Sequence, residues 1–146
     1  MAYEYKITRR VEFSETDLAG IVHFSNFCRY MEAVEHAFFR SLGLSIHSKD
    51  PDNRIGWPRV HIDVDFRSPL YFEDLVEIHL LVKEKKRTSL VYTIAFRRAD
   101  DPATEIARGT LVAACVSRDP ATGQMQAIAI PPEIAGKIEA APKELL

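Results

Sequence analysis

A chain of 146 residues, 47% hydrophobic and 27% charged, is long enough for one core and too short for two ordinary domains. Residues 1–146 are therefore expected to form a single domain. The 19 basic and 21 acidic residues leave a formal charge of −2 with both signs interspersed, which excludes the basic field that binding nucleic acid by charge requires. Two cysteines, Cys28 and Cys115, do not make a disulfide framework and fit a reducing compartment. The amino terminus has no apolar signal core and no run reaches membrane-spanning length, so a cytoplasmic protein without membrane contact is expected.

Residues 3–13 carry β-favouring side chains and place Ile7, Arg9, Val11 and Phe13 on one face, which predicts a first strand. After a loop over 14–22, apolar residues recur at Phe27, Tyr30, Met31, Val34, Ala37, Phe38 and Leu42, with Arg29, Glu32, His36 and Arg40 opposite. That spacing predicts a long amphipathic helix. Ser25 or Asn26 is placed to cap its start, and Gly43 to end it in a left-handed conformation. Residues 44–57 mix Gly, Pro, Asp and Asn without a period and read as a surface loop.

Four further strands are predicted at 58–66, 75–85, 90–98 and 105–118. The second keeps Val76, Ile78, Leu80 and Val82 on one side, and the third does the same with Leu90, Tyr92, Ile94 and Phe96. Ser68-Pro69 and residues 119–123 are turn signals, 85–87 a charged hairpin tip, and Pro131-Pro132-Glu133 opens a short final helix. A strand, a long helix and then a run of neighbouring strands is an α+β pattern, an antiparallel sheet covering one central helix. One helix covers only part of such a sheet and its edges stay unpaired, so self-association is expected.

The chemistry concentrates where the first loop meets the helix. Asp17 stands in a loop that delivers residues 21–26 into the first helical turn. The first amides of a helix lack internal partners and lie at the positive end of its dipole, so they can hold an oxyanion. Gly20 permits a backbone turn that other residues resist. A carboxylate beside a developing negative oxygen is what acyl transfer from a carbonyl needs, although an Asp-x-x-Gly taken alone is ordinarily a turn.

Other combinations read more simply as structure. Cys28 and His36 are eight residues apart on the helix, a spacing that does not bring them within hydrogen-bond reach. His61, Asp63 and Asp65 share one strand face without a completing metal ligand, so they read as a polar outer face. Glu32 and Glu35 fit a solvated, salt-bridged helix side, and Glu15 a solvated loop carboxylate. No residue pattern calls for a cofactor or metal.

The segment TDLAGIVHFSNFCRYME at 16–32, followed by Gly43 and by FRSPLYFED at 66–74, resembles the 4-hydroxybenzoyl-CoA thioesterase family of the hot-dog-fold acyl-CoA thioesterases. The resemblance runs from the first strand to Pro131. It implies a hot-dog fold, an antiparallel sheet wrapped around one long helix, in homodimers or homotetramers with sites at the subunit interface. It implies an acyl-CoA substrate, a catalytic Asp17 and a Phe24 backbone amide that polarises the thioester carbonyl. Gly20, beside the carboxylate, is expected to border the substrate; His23 stands where relatives vary, so no catalytic role is carried over to it and it is a candidate pocket residue. His61 is a candidate for lining an aryl pocket, and on the resemblance Lys86, Arg87 and Thr88 are candidates for the CoA phosphates, with Arg118 a weaker one. Residues 57–66 also resemble 1,4-dihydroxy-2-naphthoyl-CoA thioesterases. The sequence departs from the family at Glu73, where many relatives carry Gly before the Asp. Two rival readings accompany the resemblance, since the same fold hosts dehydratases and non-catalytic acyl-thioester binders.

Overall fold

In the computed structural model the described residues are 1–48, 51 and 54–146. β1 (Glu4–Arg10) is followed by a 3-10 turn at Phe13–Glu15, the long helix α1 (Ser25–Ser41) and β2 (Ile55–Gly56). Then come β3 (Arg59–Phe66), β4 (Leu75–Lys85), β5 (Ser89–Arg98), β6 (Asp101–Ala114), β7 (Val116–Arg118), β8 (Met125–Ala127) and the short α2 (Pro132–Ala135). The main sheet has the order β1-β4-β5-β6-β3, antiparallel throughout, and β2-β7-β8 make a smaller sheet.

Period-two alternation decides which face is buried. Ile78 lies between Ile7 and Phe96, and Leu80 between Tyr5 and Ile94, so one face carries the apolar row. Onto it α1 lays Phe27, Tyr30, Met31, Val34 and Phe38, none more than 3% exposed. Removing each such side chain from water contributes about 1.5–3 kcal/mol. The close approach of α1 to β6 depends on Gly109, where a Cβ would stand 2.5 Å from the Asp63 carbonyl and 2.9 Å from Met31 Cε. α1 stops where its spacing predicts. Gly43 takes φ +74°, its N–H bonds to the Arg40 carbonyl and that of Leu44 to Phe39, which satisfies carbonyls the helix end leaves open.

Several boundaries differ from the sequence expectation. β1 ends at Arg10 because the Val11 N–H turns to the Asp74 carbonyl and the chain curls into the 3-10 turn, leaving Phe13 76% exposed. The expected strand over 105–118 is two strands parted at Cys115. The Cys115 N–H still reaches the Thr88 carbonyl just before β5, but its own carbonyl accepts the N–H of Ile128, the residue after β8, so the chain passes here from the main sheet to the smaller one. Within the expected loop over 44–57, Ile55 and Gly56 pair with β7, while positions 49, 50, 52 and 53 lie outside the described residues. Neither Ser25 nor Asn26 caps α1: Phe24 is the N-cap residue, and no side chain bonds from that position.

The β3 edge of the main sheet is open. Ile62 and Phe66 point to the same face as the core yet are 42% and 52% exposed.

Candidate active site

Asp17 sits at the first corner of a tight turn. Its carbonyl accepts the Gly20 N–H at 2.9 Å, its own N–H donates to the Ile21 carbonyl at 2.9 Å, and Thr16 bridges Val22 across the turn. Gly20 takes φ +81°, a conformation that resists a side chain although nothing lies within 4 Å of where one would go. Asp17 Oδ1 accepts the Ala19 N–H at 2.8 Å, so the turn role of an Asp-x-x-Gly is present here. It occupies one carboxylate oxygen and leaves Oδ2 without a partner among the described residues.

The far side of the turn feeds α1. The Val22 N–H bonds to the Leu70 carbonyl and Ile21 bridges Tyr71, which ties the loop to the 66–74 segment. His23 stacks on Phe24 with centroids 4.5 Å apart, and its Nδ1 accepts the Ser25 N–H at 3.2 Å and lies 2.7 Å from Ser25 Oγ. The His23 imidazole thereby satisfies the first helical amide. The next N–H groups, of Asn26 and Phe27, donate to the His23 and Phe24 carbonyls. The Phe24 N–H has no acceptor among the described residues, and it stands at the positive end of α1.

Asp17 and Phe24 both line a cleft of about 490 Å³, together with Val22, Phe27, Phe66 and Leu70. Its floor is an aromatic cluster in which the Phe27 ring meets Phe66 and Phe96 edge-on at 5.0 and 5.1 Å. A second, wider groove of about 710 Å³ reaches Asp17 from the other side, past Leu18, Gly20 and His23. Asp17 is common to both.

The structure separates other expected residues from this place. His61 lies on the outer face of β3 with its Nε2 2.8 Å from Asp63 Oδ2, whereas the cleft receives Phe66 from the inner face. His61 therefore does not line the cleft, because a strand sends alternate side chains to opposite faces. Lys86, Arg87 and Thr88 form the tip joining β4 to β5, at the opposite end of the 11-residue β4 from the Asp17 loop, roughly 30 Å away along the strand. Arg118 ends β7 in the small sheet. Cys28 is exposed and His36 half-buried, with no bond between them among the described residues.

Two carboxylates differ from expectation. Glu35 is fully buried and paired with Arg59 at 2.5 Å, not solvated, because β3 brings Arg59 over the helix flank. The Tyr92 hydroxyl lies beside this pair, buried and without a hydrogen bond of good geometry. Glu15 is 9% exposed and accepts bonds from Arg9, Tyr30 and the Glu12 N–H, so it too is no solvated loop residue. Sequence reasoning also left out Phe27, Phe66 and Leu70 as cleft residues. Their signal, apolar residues at the helix start and inside the 66–74 motif, is that of an ordinary core.

A single long helix laid into a curved antiparallel sheet, with an apolar cleft at the helix start, is the hot-dog architecture. More particularly, the chain belongs to the Thioesterase superfamily, whose sequence profile matches residues 19–105, beginning just after Asp17. It is 31% identical to 4-hydroxybenzoyl-CoA thioesterase of Pseudomonas sp. over 62% of this chain and 66% of that protein. It is 34% identical to 1,4-dihydroxy-2-naphthoyl-CoA hydrolase of Synechococcus sp. over 53% of this chain and 56% of that one. The chain thus covers less than two thirds of either relative. The crystal structure of a 1,4-dihydroxy-2-naphthoyl-CoA thioesterase from Synechocystis superposes with a TM-score of 0.82 at 19% identity, over 92% of this chain and 94% of that one.

Proposed function

We propose that this protein hydrolyses a CoA thioester, with an aromatic acyl group the best fit, to the free acid and CoA. The observation that carries the reading is the pairing of a fixed carboxylate with an open helix-start amide on one apolar cleft. With the carbonyl oxygen at the Phe24 N–H, the developing oxyanion meets a donor already oriented by the helix. Asp17, held through Oδ1, directs Oδ2 at the carbonyl carbon or at a water beside it. In the first course an acyl-Asp17 anhydride forms as CoA thiolate leaves, and water then cleaves it; in the second Asp17 removes a proton from the attacking water. A thioester carbonyl is less stabilised by resonance than an ester, so a carboxylate and an oxyanion donor are sufficient machinery. Phe24, Phe27 and Phe66 support an aromatic acyl group, as do the aryl-CoA substrates in the relatives' names.

The open β3 edge supports a homodimer, extended to a homotetramer as a pair of dimers, with the cleft closed by a second copy. Lys86, Arg87 and Thr88 lie too far along β4 to serve the cleft of their own chain, so a CoA phosphate role for them operates across a subunit boundary. Two free cysteines, one exposed and one buried, support a cytoplasmic setting, and no described helix is long and apolar enough to cross a membrane.

The test is thiol release from a panel of aryl and aliphatic acyl-CoAs, with wild type and Asp17→Asn compared. Loss of about 10²- to 10⁴-fold in kcat, with the fold retained, is expected of the variant. Near wild-type turnover in Asp17→Asn overturns the assignment. A panel that binds without release overturns the activity in favour of an acyl-thioester binder.

A further inference from the structure

Glu15 has bonds in two directions. Its carboxylate accepts Arg9 Nη2 at 2.8 Å, the Tyr30 hydroxyl at 2.9 Å and the Glu12 N–H at 2.8 Å, which joins β1, α1 and the 3-10 turn at one buried point. The Arg9 guanidinium also lies over the Tyr30 ring, 4.8 Å from its centroid. The same residue's carbonyl accepts the His23 N–H and Asn26 Nδ2, both at 2.8 Å. Asp17 follows Glu15 by two residues and Phe24 follows His23 by one, so these bonds hold both ends of the segment that carries the carboxylate and the amide. Nothing else described ties the start of that segment to α1 through a buried charge.

We propose that Glu15 is the positioning residue of the site: its buried carboxylate knot fixes the distance between the Asp17 carboxylate and the Phe24 N–H. Glu15 touches neither substrate nor reacting atom. Its contribution is preorganisation, since a misplacement of about 1 Å in a reacting group can cost about 10²-fold in rate. The inference rests on the roles of Asp17 and Phe24 proposed above, and it makes a separate claim about the loop.

Two measurements on Glu15→Ala, Glu15→Gln and Tyr30→Phe test it. In amide hydrogen exchange, Glu15→Ala should lower protection of the His23 amide at least about tenfold and leave β4 and β5 amides unchanged. Unchanged protection at His23 overturns the proposal whether or not Asp17 is catalytic. In kinetics, Glu15→Ala should lower kcat about 10- to 100-fold with KM within about threefold. Glu15→Gln keeps acceptors for Tyr30 and Glu12 and should recover part of the loss, while Tyr30→Phe keeps the ring packing and should show a smaller one. Ile138→Ala, a buried site in the carboxy-terminal segment, serves as a destabilised control. If it lowers kcat as much as Glu15→Ala at equal loss of Tm, the role is structural and the proposal fails. If Asp17→Asn keeps its turnover, the catalytic assignment has failed, and the exchange result still decides for or against the knot.

Discussion

At residue scale the site is built from backbone as much as from side chains. In the proposed reading Phe24 contributes an N–H, His23 accepts the first helical amide, and Asp17 supplies the reactive side chain. Glu73 shows a cost carried nearby. It has φ +70°, in the left-handed region that favours glycine, at the turn where Tyr71 N–H bonds to Asp74 Oδ2 at 2.8 Å. The Arg10 contact at this turn goes to the Glu73 carbonyl, which any residue retains. Glu73→Gly is therefore expected to stabilise the fold by about 0.5–1 kcal/mol, the relieved strain exceeding the added chain entropy. Urea unfolding gives the difference, and a loss of stability would show that the Glu73 side chain matters more than its backbone. The position could be flagged from its motif, but only the φ angle shows that strain is present.

At the scale of elements, α1 is held to the sheet by an apolar face and by a buried ion pair on its flank. Burial raises the Glu35 carboxyl above its ordinary 4.5, against the opposing pull of Arg59. The folded chain therefore binds more proton at Glu35 than the unfolded chain does above pH 4.5, and stability from this group falls as pH rises until Glu35 ionises in the fold. Glu105 works in the other direction. Its burial would raise it, but Arg108, Arg67 and Arg97 outweigh that and hold it below 4.5, so its contribution is lost as pH falls below that value. The two windows do not overlap. Unfolding free energies measured from pH 4.5 upward should decline in wild type, and Glu35→Gln should flatten the decline. An unchanged slope in the variant would place the proton elsewhere. The helix period predicted α1 well and put Glu35 with the polar residues, since spacing on one helix says nothing of an arginine arriving from β3, 24 positions later.

For the whole molecule, the decisive feature is the sheet's open side. β3 is an edge strand, and on its inner face Ile62 and Phe66 remain 42% and 52% exposed although the Phe66 ring packs against Phe27 of α1. An edge with both unpaired backbone and apolar side chains is a liability unless another chain covers it. Ile62→Asp places a charge on that face without touching Asp17. If the proposed homodimer forms on this face, light scattering shows the variant as monomer and turnover falls with it, because Phe66 of the same strand lines the cleft. An intact oligomer in Ile62→Asp would move the interface to another face.

The sequence by itself determined the class of fold and pointed to the loop at the start of α1 that the proposed chemistry uses. Local periodicity specifies α1, β4 and β5 because buried faces repeat at the helix or strand period. Asp17, Gly20 and Phe24 are close in the chain, so their meeting needs no long-range contact. Tertiary structure decided what depends on register and on which strand neighbours which. It sent His61 to the outer face, carried Lys86 and Arg87 to the far end of β4, and drove Glu35 and Glu15 into the interior. Those outcomes turn on pairings between distant residues, such as Arg59 with Glu35 and Arg9 with Glu15, which compete with solvation only once the sheet has closed over the helix.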